Sequence, residues 1–164
     1  MKVLGIYLPQ YHEVKENNEW WGQGYTEWNA VKNARPLFRG HNQPRTPLNH
    51  NYYDLVKNGV ETWKWQSELA KKYGVYGFCI YHYWFEGKQM LEKPMEILRD
   101  HPELDIHYCI CWANESWHRN WYGASKELLI EQTYGNKDAW RNHFEYLNTF
   151  FRINDISKLT INQF

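Results

Sequence analysis

The stretch Cys109-Ile110-Cys111-Trp112-Ala113-Asn114-Glu115-Ser116-Trp117 says most about the architecture of this chain, because an apolar run passes directly into polar residues flanked by tryptophans. Such a run is typical of a buried strand in a parallel sheet. In α/β proteins of this kind, side chains that bind a ligand gather at the carboxyl ends of the strands. We therefore interpret Glu115 as a candidate site carboxylate. The alternative is that it only caps the following turn.

Strand-like and helical patterns alternate on either side of this stretch. Apolar runs predict strands at 2–8, 75–84 and 106–113. Helical spacing of apolar residues predicts helices at 60–73, 89–100 and 138–151. Gly74 follows the first of these helices, where a left-handed residue often ends a helix. The segment 13–59 is rich in Asn, Pro, Gly and Trp, so we interpret it as a long functional loop.

This alternation predicts an α/β fold with parallel strands joined by crossover helices. About three βα units with a long first loop are fewer than the eight that close a TIM-type barrel. The sequence therefore predicts a partial (β/α)8 barrel.

Composition narrows the classes of partner. Lysine and arginine balance aspartate and glutamate at 19 each, which argues against a nucleic-acid partner because such proteins usually carry a basic patch. No apolar run approaches the roughly 20 residues needed for a membrane span, and no secretory signal pattern opens the chain, so we expect a cytoplasmic protein. The three cysteines lack the spacing of a zinc site and are interpreted as buried structural thiols. We predict neither a metal site nor a cofactor.

Hydrogen-bonding and aromatic residues coincide at all three predicted strand ends. The candidates there are Tyr7, Gln10 and His12, then Tyr81, His82 and Trp84, then Trp112, Asn114, Glu115 and Trp117. The long loop adds Trp20, Trp21, Glu27 and Trp28. Indole rings beside carboxylates suit a polyhydroxylated sugar, since rings cover its apolar faces and carboxylates handle its hydroxyl protons. Two alternatives stay open: the histidines could hydrogen-bond backbone carbonyls, and the loop tryptophans could form a small core of their own.

Five longer motifs carry a resemblance to a known family. They are Tyr7-Leu8-Pro9-Gln10-Tyr11-His12, Trp20-Trp21-Gly22-Gln23-Gly24-Tyr25-Thr26-Glu27-Trp28, Ala34-Arg35-Pro36-Leu37-Phe38, Gly77-Phe78-Cys79-Ile80-Tyr81-His82-Tyr83-Trp84-Phe85 and Cys111-Trp112-Ala113-Asn114-Glu115-Ser116-Trp117. Together they resemble the WbsX-type glycosyltransferases, also described as glycoside hydrolase family 99-like, in register from residue 1 to about residue 152.

The resemblance implies a (β/α)8 barrel that acts on glycans, in a family associated with bacterial cell-surface polysaccharide synthesis. It implies that residues 1–152 are the amino-terminal half, because the main glutamate pair of related endo-α-mannosidases lies on a late strand. Glu115 matches a further active-site glutamate that helps to bind substrate. We therefore expect little catalysis by this chain alone. The alternatives are a non-catalytic glycan-binding module, a gene remnant, or a half complemented by a separately encoded second half.

The last residues depart from the family pattern. After Arg152 the family continues toward a fourth strand, whereas 153–164 resembles that continuation only when its codons are read in a shifted frame. We expect 153–164 to be an out-of-frame or non-native tail.

Overall fold

The structure, a computed structural model, describes residues 1–42, 45–119 and 127–151. In chain order the elements are β1 (Leu4–Tyr7), α1 (Lys15–Trp21), α2 (Glu27–Asn33), a 3-10 turn (Leu48–His50), α3 (Gly59–Lys72), β2 (Gly77–Phe85), β3 (Lys88–Met90), α4 (Lys93–Asp100), β4 (His107–Trp112), β5 (Trp117–His118), β6 (Leu128–Ile130) and α5 (Lys137–Phe151). The predicted tail 153–164 lies outside the described residues.

A parallel sheet forms the centre of the fold. β2 pairs in parallel with β1 on one side and with β4 on the other, with Tyr7 opposite Ile80 and His82 opposite Trp112. The prediction of three parallel strands is therefore confirmed. Gly77 stands opposite His107, and a methyl group on Gly77 would lie 2.1 Å from the His107 carbonyl oxygen, so only glycine fits this register.

Helices cover one face of this sheet and bury the main apolar core against it. The fully or nearly buried residues of this core are Trp63, Ile80, Met95, Leu98, Leu104, Ile106 and Phe150. Trp63 is completely inaccessible, and its indole nitrogen donates a hydrogen bond to the Pro94 carbonyl oxygen at 3.0 Å. This bond removes the cost of burying the one polar atom of the side chain, and it ties α3 to the start of α4.

The other face is less covered. Leu4 and Ile6 alternate along β1 on that face and are 43 and 73% exposed, and Leu8, just beyond the strand, is 44% exposed. Cys79 of β2 pairs in register with Cys109 of β4. Of the three cysteines expected to be buried, only Cys109 is, while Cys79 and Cys111 are partly exposed.

Local signals explain where the helices begin and end. Gly74 has φ +77°, the left-handed conformation predicted for it, and the following amide of Val75 bonds the Ala70 carbonyl. α2 begins after Thr26, whose hydroxyl accepts a hydrogen bond from the Trp28 amide. In return the Asn29 side chain accepts one from the Thr26 amide. This capping box satisfies amides that an isolated helix would leave unpaired.

Two predictions about elements are corrected. The segment 13–59 is not an irregular loop throughout, since it contains α1, α2 and a 3-10 turn. The helix predicted at 89–100 begins only at Lys93, because Glu86 and Gly87 have φ of +48° and +100° and turn the chain back as a hairpin. Positive φ at both central residues matches the twist of paired strands, so β3 runs antiparallel to β2.

Across the described ranges, the structure contains no helix that is both long and apolar enough to cross a bilayer.

Candidate functional site

A cavity of about 770 Å³ opens where the carboxyl ends of β1, β2 and β4 meet. Its described lining residues are Leu8, Gln10, Asn17, Trp20, Trp21, Tyr25, Glu27, Tyr81, Tyr83, Leu91, Ala113, Asn114, Glu115, Ser116, Trp117, His118 and Leu129. Volumes of a few hundred to a thousand Å³ are typical of small-molecule sites. Eight of the fourteen residues predicted from the sequence share this cavity: Gln10, Trp20, Trp21, Glu27, Tyr81, Asn114, Glu115 and Trp117.

The floor of the cavity is polar. Tyr81 and Tyr83 lie two residues apart on β2, so their side chains project from the same face of the sheet. The Gln10 amide donates a hydrogen bond of 3.0 Å to the Tyr83 hydroxyl. Burial raises the pKa of Tyr83 to about 12, and the negative charges of Glu27 and Glu115 contribute to that increase. The phenol therefore stays protonated at neutral pH and lies within electrostatic reach of two carboxyl groups.

Glu27 is held by the start of α2. It is the first residue of that helix, directly after the capping residue Thr26, so its backbone position is fixed. The side chain is partly buried in the cavity wall, and this burial raises the pKa of the Glu27 carboxyl. The cause is that burial makes the charged form of the carboxyl less favourable than it is in water.

Indole rings form another part of the cavity lining. The Trp117 ring packs edge-on against Tyr83 at 5.0 Å, Phe85 at 5.7 Å and Trp20 at 6.1 Å between centroids. Trp117 belongs to β5, which pairs with β6 in a small hairpin outside the main sheet. The hairpin therefore brings Trp117, His118 and Leu129 to the cavity.

Arg119 connects this hairpin to α1. Its guanidinium bonds the Trp20 carbonyl oxygen at 2.7 Å and the Glu127 carboxylate at 2.8 Å. It also lies over the Trp21 ring, 5.2 Å from the ring centroid. Because Trp20 and Trp21 line the cavity, Arg119 holds two of its walls in a fixed relation.

Three predicted site residues lie on the other face of the sheet. His82 alternates with Tyr81 and Tyr83, so it points toward α5, where its Nε2 lies 2.9 Å from Nε2 of His143. Trp84 stacks on the same His143 ring at 4.7 Å, and the Trp112 ring meets it edge-on at 4.7 Å. The expectation that His82, Trp84 and Trp112 face the cavity with Glu115 is therefore wrong. The partner of His82 Nε2 is another imidazole and not a backbone carbonyl.

The remaining three predicted residues also lie away from the cavity. The Tyr7 hydroxyl donates to Gln66 of α3 at 2.7 Å, which places the ring in the helix-covered core. His12 is 2% exposed, and burial lowers its pKa to about 4 although the charge of Asp54 opposes the shift. Trp28 packs 4.4 Å from Tyr11 and donates its indole hydrogen to the Tyr53 carbonyl at 2.8 Å. Trp28 therefore belongs to a small core formed within the loop segment, which was the alternative to a role in the site.

Several lining residues were not selected from the sequence. Tyr83 shared a face with Tyr81, so strand alternation carried a usable signal for it. Asn17 and Leu91 gave none, because α1 and the β2–β3 hairpin that place them were not predicted, and Tyr25 lies between α1 and α2, which were not predicted either. His118 and Leu129 reach the cavity through the β5–β6 hairpin, which no periodic pattern indicated.

Comparison with known proteins adds a family relationship. The family described as Glycosyltransferase WbsX matches residues 3–162. Two curated relatives, both named Uncharacterized protein WxcX, come from Xanthomonas campestris pv. campestris strains B100 and ATCC 33913. Each is 42% identical over 136 residues, which cover 83% of this chain. The chain spans only 19% of the length of either relative. No solved structure matches significantly.

Proposed function

Because the chain belongs to the WbsX glycosyltransferase family, we propose that its cavity binds a saccharide and forms part of a site that transfers or cleaves glycosyl groups. The observation that carries this proposal is the joint placement of Glu27, Glu115 and the Trp117 ring around one cavity. Carboxylates accept hydrogen bonds from sugar hydroxyls, and an indole ring covers the apolar face of a pyranose. The biological substrate would be a polysaccharide of the bacterial cell surface, as the family resemblance suggests.

Within this site we assign Glu115 the role of a carboxylate that touches the substrate. It lies shortly after Trp112, the last residue of β4, at the end of the sheet where ligands collect in parallel α/β folds. Glu27 and Tyr83 line the same cavity, and the Gln10–Tyr83 hydrogen bond of 3.0 Å keeps the phenol oriented there. We assign both carboxyl groups to substrate binding, because the family resemblance implies that the main glutamate pair lies on a later strand of the longer protein.

The sheet is proposed to be part of a (β/α)8 barrel. Helices α3, α4 and α5 pack against one of its faces, as in a barrel whose helices form the outer layer. Leu4 and Ile6 are apolar but exposed on the opposite face, which suits residues that would face a barrel interior. The reaction itself is assigned to a longer protein, since this chain covers 19% of its curated relatives.

Glycan-array binding tests the proposal. Fluorescently labelled protein is expected to bind a subset of glycans, and Trp117→Ala should weaken that binding at least about tenfold because a stacking surface is lost. Trp65→Ala is the matched control, since Trp65 is a partly exposed tryptophan of α3 that does not line the cavity. Binding that survives Trp117→Ala and Glu115→Gln unchanged would contradict the assignment of the cavity.

A further inference from the structure

The charge of the cavity points to the class of saccharide it takes. The ionisable acids that line it are Glu27 and Glu115. No lysine or arginine is among its described lining residues, and the one histidine there, His118, is exposed. A ligand in the cavity therefore meets negative charge and neutral hydrogen-bonding groups.

The two acids act on the same place. Glu27, Glu115 and Tyr83 line the same cavity, and the two negative charges add to the effect of burial in raising the pKa of the phenol. Tyr83 is 5% exposed, so water screens the surroundings of its hydroxyl poorly, whereas the Glu115 side chain is exposed. An anion bound beside the phenol would be repelled in the same way as the phenolate itself.

The guanidinium of Arg119 does not neutralise the negative charges of Glu27 and Glu115. Arg119 is bonded to the Glu127 carboxylate and to the Trp20 carbonyl, and its flat face lies against the Trp21 ring. Its charge is therefore already paired within the hairpin. In the described part of the chain, no three His, Cys, Asp or Glu side chains are placed to hold a metal ion that could bridge an anion to the acids.

Recognition of a diphosphate ordinarily relies on arginine, lysine or unpaired amides at a helix start. The described cavity lining instead contains two acids, tyrosine hydroxyls, the amide side chains of Gln10 and Asn114, and indole rings, and none of these attracts a diphosphate by its charge. We propose that this cavity accepts an uncharged saccharide residue and excludes the diphosphate of a nucleotide sugar. The inference rests on the proposed saccharide-binding function and specifies its substrate class.

In this arrangement the neutral sugar supplies hydroxyl donors to Glu115. The Glu27 carboxylate lines the same cavity and can accept hydrogen bonds from further hydroxyl groups of the sugar. The ligand at these residues is then the glycan chain, and any nucleotide donor would have to bind elsewhere in the longer protein.

Saturation-transfer NMR on the chain can test this assignment. The probes are a panel of neutral methyl pyranosides and oligosaccharides, and, separately, uridine and guanosine diphosphate, each with and without Mn²⁺. We expect saturable contacts from at least one neutral saccharide and no displacement of it by about tenfold more nucleotide. Replacing both acids by glutamine should strengthen nucleotide binding about tenfold or more, because two like charges are removed. Glu131→Gln, an exposed acid outside the cavity lining, is the control.

Three outcomes separate the exclusion of anions from the binding of a saccharide. If a nucleotide diphosphate displaces the saccharide from the unmodified protein, the cavity accepts anions and the inference fails while saccharide binding stands. If the double glutamine variant still excludes the nucleotide, the exclusion is steric and the charge argument is wrong. If no saccharide binds while the protein unfolds cooperatively, the proposed function fails and the inference fails with it.

Discussion

Replacing His82 and His143 together by glutamine is expected to make the protein less sensitive to mild acid. Their imidazoles are 2 and 8% exposed, 2.9 Å apart, and enclosed by the rings of Trp84, Trp112 and Tyr146. Burial lowers the pKa of His82 to about 3 and that of His143 to about 4. Two glutamines can keep a hydrogen bond between the sheet and α5, but they cannot take up protons.

The sign and size of the effect follow from these pKa values. An unfolded chain protonates a histidine near pH 6.5, whereas the folded chain keeps these two neutral, so lowering the pH below 6.5 favours unfolding. Between pH 6.5 and pH 5.0 each imidazole that stays neutral lowers the free energy of unfolding by about 2 kcal/mol. Over this interval the pair therefore lowers the free energy of unfolding by about 2 kcal/mol if the folded pair binds one proton fewer than the same two histidines in the unfolded chain. If it binds two protons fewer, the free energy of unfolding falls by about 4 kcal/mol.

Urea unfolding at pH 7.0 and pH 5.0, followed by circular dichroism, measures this loss. The unmodified protein should lose about 2–4 kcal/mol more than the double variant over this interval. Buried His12 is present in both proteins, so the free energy of unfolding keeps a residual dependence on pH in each. His50→Asn is the matched control, because His50 is exposed and asparagine tolerates its φ of +54°. An equal loss in the double variant and the unmodified protein would refute the reasoning.

Three further substitutions test packing and the cavity wall. Trp63→Ala should cost about 3–5 kcal/mol in urea unfolding, because Trp63 is fully buried and its cavity would remain. Gly77→Ala should abolish cooperative unfolding, since its methyl group would lie 2.1 Å from the His107 carbonyl oxygen, whereas Gly5→Ala meets its nearest atom at 3.4 Å and should fold. Arg119→Ala should speed amide hydrogen exchange in the β5–β6 hairpin while leaving the main sheet protected; equal exchange in variant and unmodified protein would show that Arg119 does not hold the hairpin.

Strand alternation explains why only part of the candidate site could be predicted. β2 is covered on both faces along much of its length, so its sequence is a continuous aromatic run. Such a run locates the strand but gives no sign of which alternate residues face the helices. Tyr81 and His82 were therefore equally good candidates, although they lie on opposite faces of the sheet.

Short elements account for most of the other differences. α1 and α2 have seven residues each, too few for a helical period to stand out from the surrounding polar sequence. The capping pair Thr26 and Asn29 was a readable signal for α2. The β5–β6 hairpin was not readable, because its strands have two and three residues and its link to α1 depends on Arg119.

Residue order alone determined that strands and helices alternate, that the sheet is parallel, and that Glu115 follows a strand end. These properties depend on local periodicity and on the shared direction of parallel strands. Only the tertiary structure decided which side chains contact each other. His82, Trp84 and Trp112 contact His143 of α5 on one face of the sheet. Trp117 of the β5–β6 hairpin lines the cavity on the other face. The reason is that the orientation of a strand about its own axis is set by what packs against it, and those contacts join residues far apart in the chain.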